Sequence, residues 1–140
     1  MRFSSQSAII RLMKTGSLIW GKVKVGSKRG KLLGFPTVNI TLHRQIEEGV
    51  YLAEVKIDKR FFSSLTFVGA AKTFGEKNKK VESYILNFKD DVYGKWITVR
   101  FFKKIRGNIK FKSKEELVEQ MEKDLIVAKE FFKTSYSKSK

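Results

Sequence analysis

From residue 18 onward the chain is cut into short runs in which apolar and polar side chains alternate, or in which β-branched and aromatic residues follow one another. Six such runs, 19–25, 36–42, 50–57, 61–70, 81–88 and 96–102, predict six strands. Turn chemistry separates most of them. Glu47-Glu48-Gly49 precedes the third, Asp58-Lys59 joins the third and fourth, residues 75–80 form a charged connection before the fifth, and Asp90-Asp91 and Gly94-Lys95 fall between the last two. No stretch of helical period lies between the strands, so the pattern predicts a mainly β fold, an antiparallel barrel or sandwich, and a six-stranded antiparallel barrel is the architecture expected.

After residue 112 the period changes. Leu117, Met121, Leu125, Ala128 and Phe132 recur at three- and four-residue intervals, and Ser113 with Glu116 has the spacing of a capping box, which predicts a C-terminal helix with one buried face. Residues 133–140 are basic and lack an apolar pattern, so a flexible tail is expected. At the other end, residues 1–17 read as a short helix capped by Ser4 or Ser5 and carrying Ile9, Ile10, Leu12 and Met13. The expected organisation is an N-terminal helical segment (1–17), a barrel domain with its helix (18–132) and a tail (133–140).

At 140 residues, with 41% hydrophobic and 31% charged residues, the chain has the size and balance of one globular domain. No run approaches the roughly 18 apolar residues of a membrane span, and the start lacks a signal-peptide pattern, so a monomer in the cytosol is expected. The absence of cysteine excludes disulfides and thiolate metal sites. A net charge of +16, from 30 Lys and Arg against 14 Asp and Glu, points to an anionic partner, either a nucleotide or a nucleic acid. The charge is spread along every segment and is mostly lysine, which marks no particular binding face.

Candidate chemistry concentrates in residues 21–39. Gly26, Gly30 and Gly34 stand among Lys28, Arg29 and Lys31, so a pliable backbone with free N–H groups lies beside positive charge, a setting suited to phosphate. Pro36 then stiffens the chain, and strand alternation puts Thr37 and Asn39 on one face with Val38 on the other. Two side-chain oxygens beside a phosphate loop suit a hydrated divalent cation. The same residues also read as a glycine-rich hairpin with polar side chains in water. Farther along, Glu82 is a carboxylate in an otherwise apolar strand and shares a face with Tyr84 and Leu86, where it either meets solvent or serves as a general base. His43 is the only histidine, which supplies neither a zinc site nor a triad.

Residues 30–39, Gly-Lys-Leu-Leu-Gly-Phe-Pro-Thr-Val-Asn, are followed in order by Val-Glu-Ser-Tyr-Ile-Leu-Asn-Phe at 81–88, Asp-Val-Tyr-Gly at 91–94, and Ile105-Arg106 with Phe111. In order and spacing, over about residues 21–132, these blocks resemble the riboflavin kinase family, including the kinase module that ends bacterial bifunctional flavin enzymes. The resemblance implies a Greek-key barrel that transfers the ATP γ-phosphate to riboflavin, giving FMN and ADP with Mg²⁺. By the same resemblance Thr37 and Asn39 would hold Mg²⁺ with the ATP phosphates, and Gly26, Lys31, Gly34 and Pro36 would lie along the nucleotide. Tyr93 would either stack in the loop bordering both pockets or fill core. Glu82 would be the base acting on the ribityl hydroxyl, and Arg106 and Phe111 would belong to the loop that closes over the flavin.

Phe3-Ser4-Ser5 through Gly16 resembles, faintly, the tail of the adenylyltransferase module of those two-module enzymes. The adenylyl-transfer motif needs a pair of histidines, so FAD synthetase activity is not expected. Val38, Tyr84 and Lys72 depart from the family pattern in packing or loop shape. Asn108 stands where the Arg-x-Glu pattern has its acid, and Asn87 where an aspartate is usual; if that acid orders the flavin loop through Arg106, weaker riboflavin affinity is expected here. Two other readings remain at this point: a basic barrel binding single-stranded nucleic acid through aromatic platforms, and a flavin-binding relic without turnover.

Overall fold

The computed structural model describes residues 18–24, 34–75 and 77–136. The expected N-terminal helix, Gly26, Lys31 and the last four residues lie outside that set. Six strands run β1 (Leu18–Lys22), β2 (Val38–Ile40), β3 (Gly49–Ile57), β4 (Arg60–Gly69), β5 (Lys80–Ile85) and β6 (Trp96–Arg106), followed by the helix α1 (Lys114–Tyr136). A short 3-10 turn, Lys72–Phe74, sits between β4 and β5.

The strands form one antiparallel sheet in the order β1-β6-β3-β4-β5-β2. β3, β4 and β5 are a meander and β6 returns beside β3, which is the Greek-key arrangement. The two edge strands meet through Lys24, whose N–H donates to the Asn39 carbonyl at 2.8 Å, so the barrel is nearly closed. Alternation then divides the side chains into two layers. Tyr51, Ala53, Val55, Val68, Val81, Ile85 and Val99 fill the barrel. Val50, Leu52, Leu65 and Phe102 lie outside it, covered by Ala128 and Phe132 of α1. Each fully buried side chain of this size contributes roughly 1.5–3 kcal/mol.

Several boundaries differ from the sequence expectation, and β2 is only Val38–Ile40 where 36–42 was expected, which leaves Thr37 just before it. β5 stops at Ile85 because Leu86-Asn87 turns, with Asn87 at φ 55°, a left-handed conformation that asparagine tolerates. β6 runs on through Lys103 and Lys104 to Arg106, because β3 continues opposite it across two register shifts. Arg106 is therefore a strand residue and not part of a loop. Gly49 permits this extension, since a Cβ there would lie 2.5 Å from the Arg106 carbonyl oxygen. The helix continues four residues past the expected end, into what was read as tail. Its start is as expected: the Glu116 N–H donates to Ser113 Oγ at 3.2 Å, while Glu116 Oε1 accepts from the Lys112 N–H at 3.1 Å.

Candidate active site

The pairing of β2 with β5 sets Asn39 directly opposite Glu82. Opposed residues of an antiparallel pair share a face, so Thr37, Asn39 and Glu82 come together on the outside of the barrel while Val38, Ile40, Val81 and Ser83 turn inward. Thr37 Oγ1 donates to Glu82 Oε1 at 3.1 Å. Lys80, two residues back on the same face, places its ammonium 3.5 Å from Glu82 Oε2. The setting of Glu82 is thus more polar than its apolar strand suggests. Asn39 is 9% exposed, and its Oδ1 is buried with no hydrogen-bond partner among the described residues.

An orphaned amide oxygen in a folded core calls for an explanation. Here it stands with the Thr37 hydroxyl and the Glu82 carboxylate, a set of hard oxygen donors. Such a set fits a divalent cation that keeps water and phosphate oxygens as its other ligands. Among the described residues there is no cluster of three or more His, Cys, Asp or Glu that would cage a metal by itself.

Glu82 and Thr37 line one wall of a cleft of about 140 Å³ between the sheet and α1. Phe35, Phe67, Tyr84 and Phe74 make it aromatic, and Phe35 meets Tyr84 edge to face with ring centroids 5.5 Å apart. Arg106, Asn108 and Phe111 line the opposite wall, with Leu117, Met121 and Asp124 of the helix. The structure therefore brings Glu82, Thr37, Arg106 and Phe111 to one cleft.

Arg106 is fixed from the helix. Its Nε lies 2.9 Å and 3.1 Å from the two Asp124 oxygens, and its Nη2 lies 2.8 Å from Asp124 Oδ2. Gln120 Nε2 donates to Asp124 Oδ1 at 3.0 Å. The guanidinium carbon then sits 5.5 Å from the centre of the Phe111 ring, offering a flat charged face beside a flat apolar one. Asp124 was not anticipated from sequence. A carboxylate within the apolar stripe of a helix was the available signal, because a buried acid requires a partner.

Asn108 also departs from expectation. Its Nδ2 donates to Glu48 Oε1 at 2.9 Å and to the Ala70 carbonyl at 3.0 Å, and the Phe111 N–H donates to Thr73 Oγ1 at 3.1 Å. These contacts tie the loop after Arg106 to neutral and charged acceptors.

Of the other expected residues that the structure describes, Asn39, Gly34, Pro36 and Tyr93 do not line this cleft. Gly34 and Pro36 are exposed on the approach to β2. Tyr93 is 64% exposed in a turn whose Gly94 N–H donates to the Val23 carbonyl at 3.0 Å. That turn borders the end of β1, next to the Lys24–Asn39 bridge, and is separate from the Glu82 cleft. His43 is an exposed loop residue with Nε2 2.7 Å from the Trp20 carbonyl oxygen.

Comparison with known proteins gives a consistent picture. The family model for riboflavin kinase matches residues 15–132. The Haemophilus influenzae bifunctional riboflavin kinase/FMN adenylyltransferase is 38% identical over 117 residues, 81% of this chain and 38% of that protein. The Mycoplasmoides gallisepticum trifunctional protein RibF/MnmA is 38% identical over 125 residues, 87% of this chain and 19% of that protein. The chain thus spans well under half the length of these relatives, and in the bifunctional ones it matches the C-terminal kinase module. Among solved structures, a Streptococcus pneumoniae protein described as a macrolide-efflux protein superposes with a TM-score of 0.71 at 28% identity, covering 91% of this chain and 47% of that one. Riboflavin kinase from Trypanosoma brucei superposes with a TM-score of 0.59 at 23% identity, covering 83% and 79%, and shares the fold. Among the described residues no helix is long and apolar enough to cross a membrane.

Proposed function

The chain belongs to the riboflavin kinase family, and from that premise we propose that it catalyses phosphoryl transfer from ATP to the ribityl 5′-hydroxyl of riboflavin. The observation that carries this reading is the register that sets Asn39 opposite Glu82, with Thr37 hydrogen-bonded to the same carboxylate. Glu82 accepts the proton of the 5′-hydroxyl as its oxygen attacks the γ-phosphorus. The bond from that phosphorus to the bridging oxygen of ADP breaks, and FMN and ADP leave. Thr37 and Asn39 would hold Mg²⁺, which when bound would supply charge neutralisation at the phosphate oxygens. The orphaned Asn39 Oδ1 supports that assignment.

The aromatic cleft takes the isoalloxazine ring, with Arg106 and Phe111 as the wall it lies against. Gly26, Lys31, Gly34 and Pro36 lie along the nucleotide, and Tyr93 borders it from the turn beside β1. For this chain the match to the kinase module supports the kinase step, and its single histidine does not supply the histidine pair of an adenylyl-transfer motif. A cytosolic monomer acting on two small molecules completes the reading.

Incubation of the purified protein with riboflavin, ATP and Mg²⁺ tests it. Equimolar FMN and ADP, separated by chromatography, are expected. No FMN across a range of riboflavin concentrations would overturn the proposal.

A further inference from the structure

Asn108 lies in the wall of the cleft, two residues beyond Arg106, and its amide is used in an unusual way. Both Nδ2 hydrogens go to oxygens that can only accept: Glu48 Oε1 at 2.9 Å and the Ala70 carbonyl at 3.0 Å. Only a nitrogen donor satisfies both contacts, which also fixes the orientation of the amide. The second Glu48 oxygen, Oε2, is 3.1 Å from Lys79 Nζ. One side chain of the 107–111 loop is therefore joined to the segment leading into β3, the residue after β4 and the segment leading into β5.

The pair crosses the backbone at a glycine. Gly69 has φ +140°, and a Cβ there would fall 2.7 Å from Glu48 Oε1 and 3.0 Å from Asn108 Nδ2. The backbone is bare where the two side chains cross it. The acid that the family pattern places at 108 would set oxygen against oxygen and like charge against like charge, with Glu48 already ionised by its partners.

We infer that Glu48 and Asn108 form a latch that holds the 107–111 loop against the cleft, and that both are positioning residues for the flavin. This rests on the reading that the cleft takes riboflavin. Asn108 is then no defect of the flavin loop. It is one half of a donor–acceptor pair whose other half is Glu48, and Glu48 is what makes an acid at 108 unfavourable in this chain.

Asn108→Asp keeps the size of the side chain and replaces the donor with an oxygen. Riboflavin KM, and riboflavin Kd measured by quenching of flavin fluorescence, are expected to rise about tenfold, with ATP KM unchanged within about twofold. Amides of residues 107–111 exchange faster with deuterium. Adding Glu48→Gln restores a donor facing an acceptor and recovers most of the affinity, which a purely structural lesion would not do. If Asn108→Asp fails to fold, Asn108→Ala is read by the same three measurements, with the same increase in riboflavin Kd and in exchange expected. Unchanged riboflavin Kd and unchanged loop exchange in the variant overturn the latch. A wild-type protein that binds no riboflavin overturns the reading of the cleft instead, and the exchange comparison then decides the latch by itself.

Discussion

The two walls of the cleft are built by different means. On one side Glu82 stands on β5 with its backbone paired to Asn39 of β2, and Thr37, just before β2, hydrogen-bonds to its carboxylate, so the β2–β5 register sets their placement. Arg106, Asn108 and Phe111 are aimed by side chains that reach them from elsewhere: Asp124 on α1, Glu48 before β3, and Thr73 in the 3-10 turn. A wall set by register cannot shift without slipping a ladder and turning every side chain to the other face. One set by side-chain ties can be loosened a tie at a time. Lesions in the first wall should therefore appear in turnover, and lesions in the second in affinity and stability.

The largest expected effect tests the first wall. Glu82→Gln keeps the hydrogen-bonding shape and removes the base, so kcat is expected to fall by about 10² or more while riboflavin Kd stays near the wild-type value. Steady-state FMN formation and fluorescence quenching read the two quantities separately. A variant with wild-type kcat would remove Glu82 from the chemistry.

Next in size is a lesion of the second wall. The Asp124 carboxylate side chain is 6% exposed and that of Arg106 15%, so Asp124→Ala leaves a largely buried guanidinium without its counter-charge. A stability loss of about 3 kcal/mol is expected in urea unfolding, together with weaker riboflavin binding. Turnover at saturating riboflavin should fall less than in Glu82→Gln, and the opposite ranking would break the distinction between the walls.

The smallest effect is a pH dependence at the latch. Hydrogen bonds from Asn108 and then Lys79 hold the Glu48 carboxylate below the ordinary glutamate value of 4.5. A carboxyl whose folded pKa is depressed contributes stability that is complete above its unfolded pKa and is lost as pH falls through the folded one. The difference in urea midpoint between wild type and Glu48→Gln is thus expected to be constant at neutral pH and to shrink between about pH 5 and about pH 3. A difference that grows on acidification would contradict the assignment.

How much of this was legible in the sequence follows from the same contrast. Alternation alone put Glu82 on a face with Tyr84, and Thr37 with Asn39, because period two is a local property. That β2 and β5 are neighbours was not local and could not be read from either strand. The sixth strand was expected to end at Phe102, where the apolar run gives way to Lys103-Lys104, whereas the partner strand β3 carries the ladder on to Arg106. The ties of the second wall were the least visible. Glu48 reads as one of two turn acids, and Asn108 reads as a lost acid until Glu48 is seen 2.9 Å away. Asp124 left one trace, a charge inside the apolar stripe of α1.

The central claim is that Asn39 and Glu82, facing one another across the β2–β5 pair, belong to one phosphoryl-transfer centre. A double-mutant cycle on FMN formation tests it most directly, comparing wild type, Asn39→Ala, Glu82→Gln and the double variant under saturating substrates. Residues that act as a unit are strongly non-additive, so the double variant is expected to lose little more rate than the worse of the two single variants. Losses that multiply, as they would for two independent sites, would contradict it.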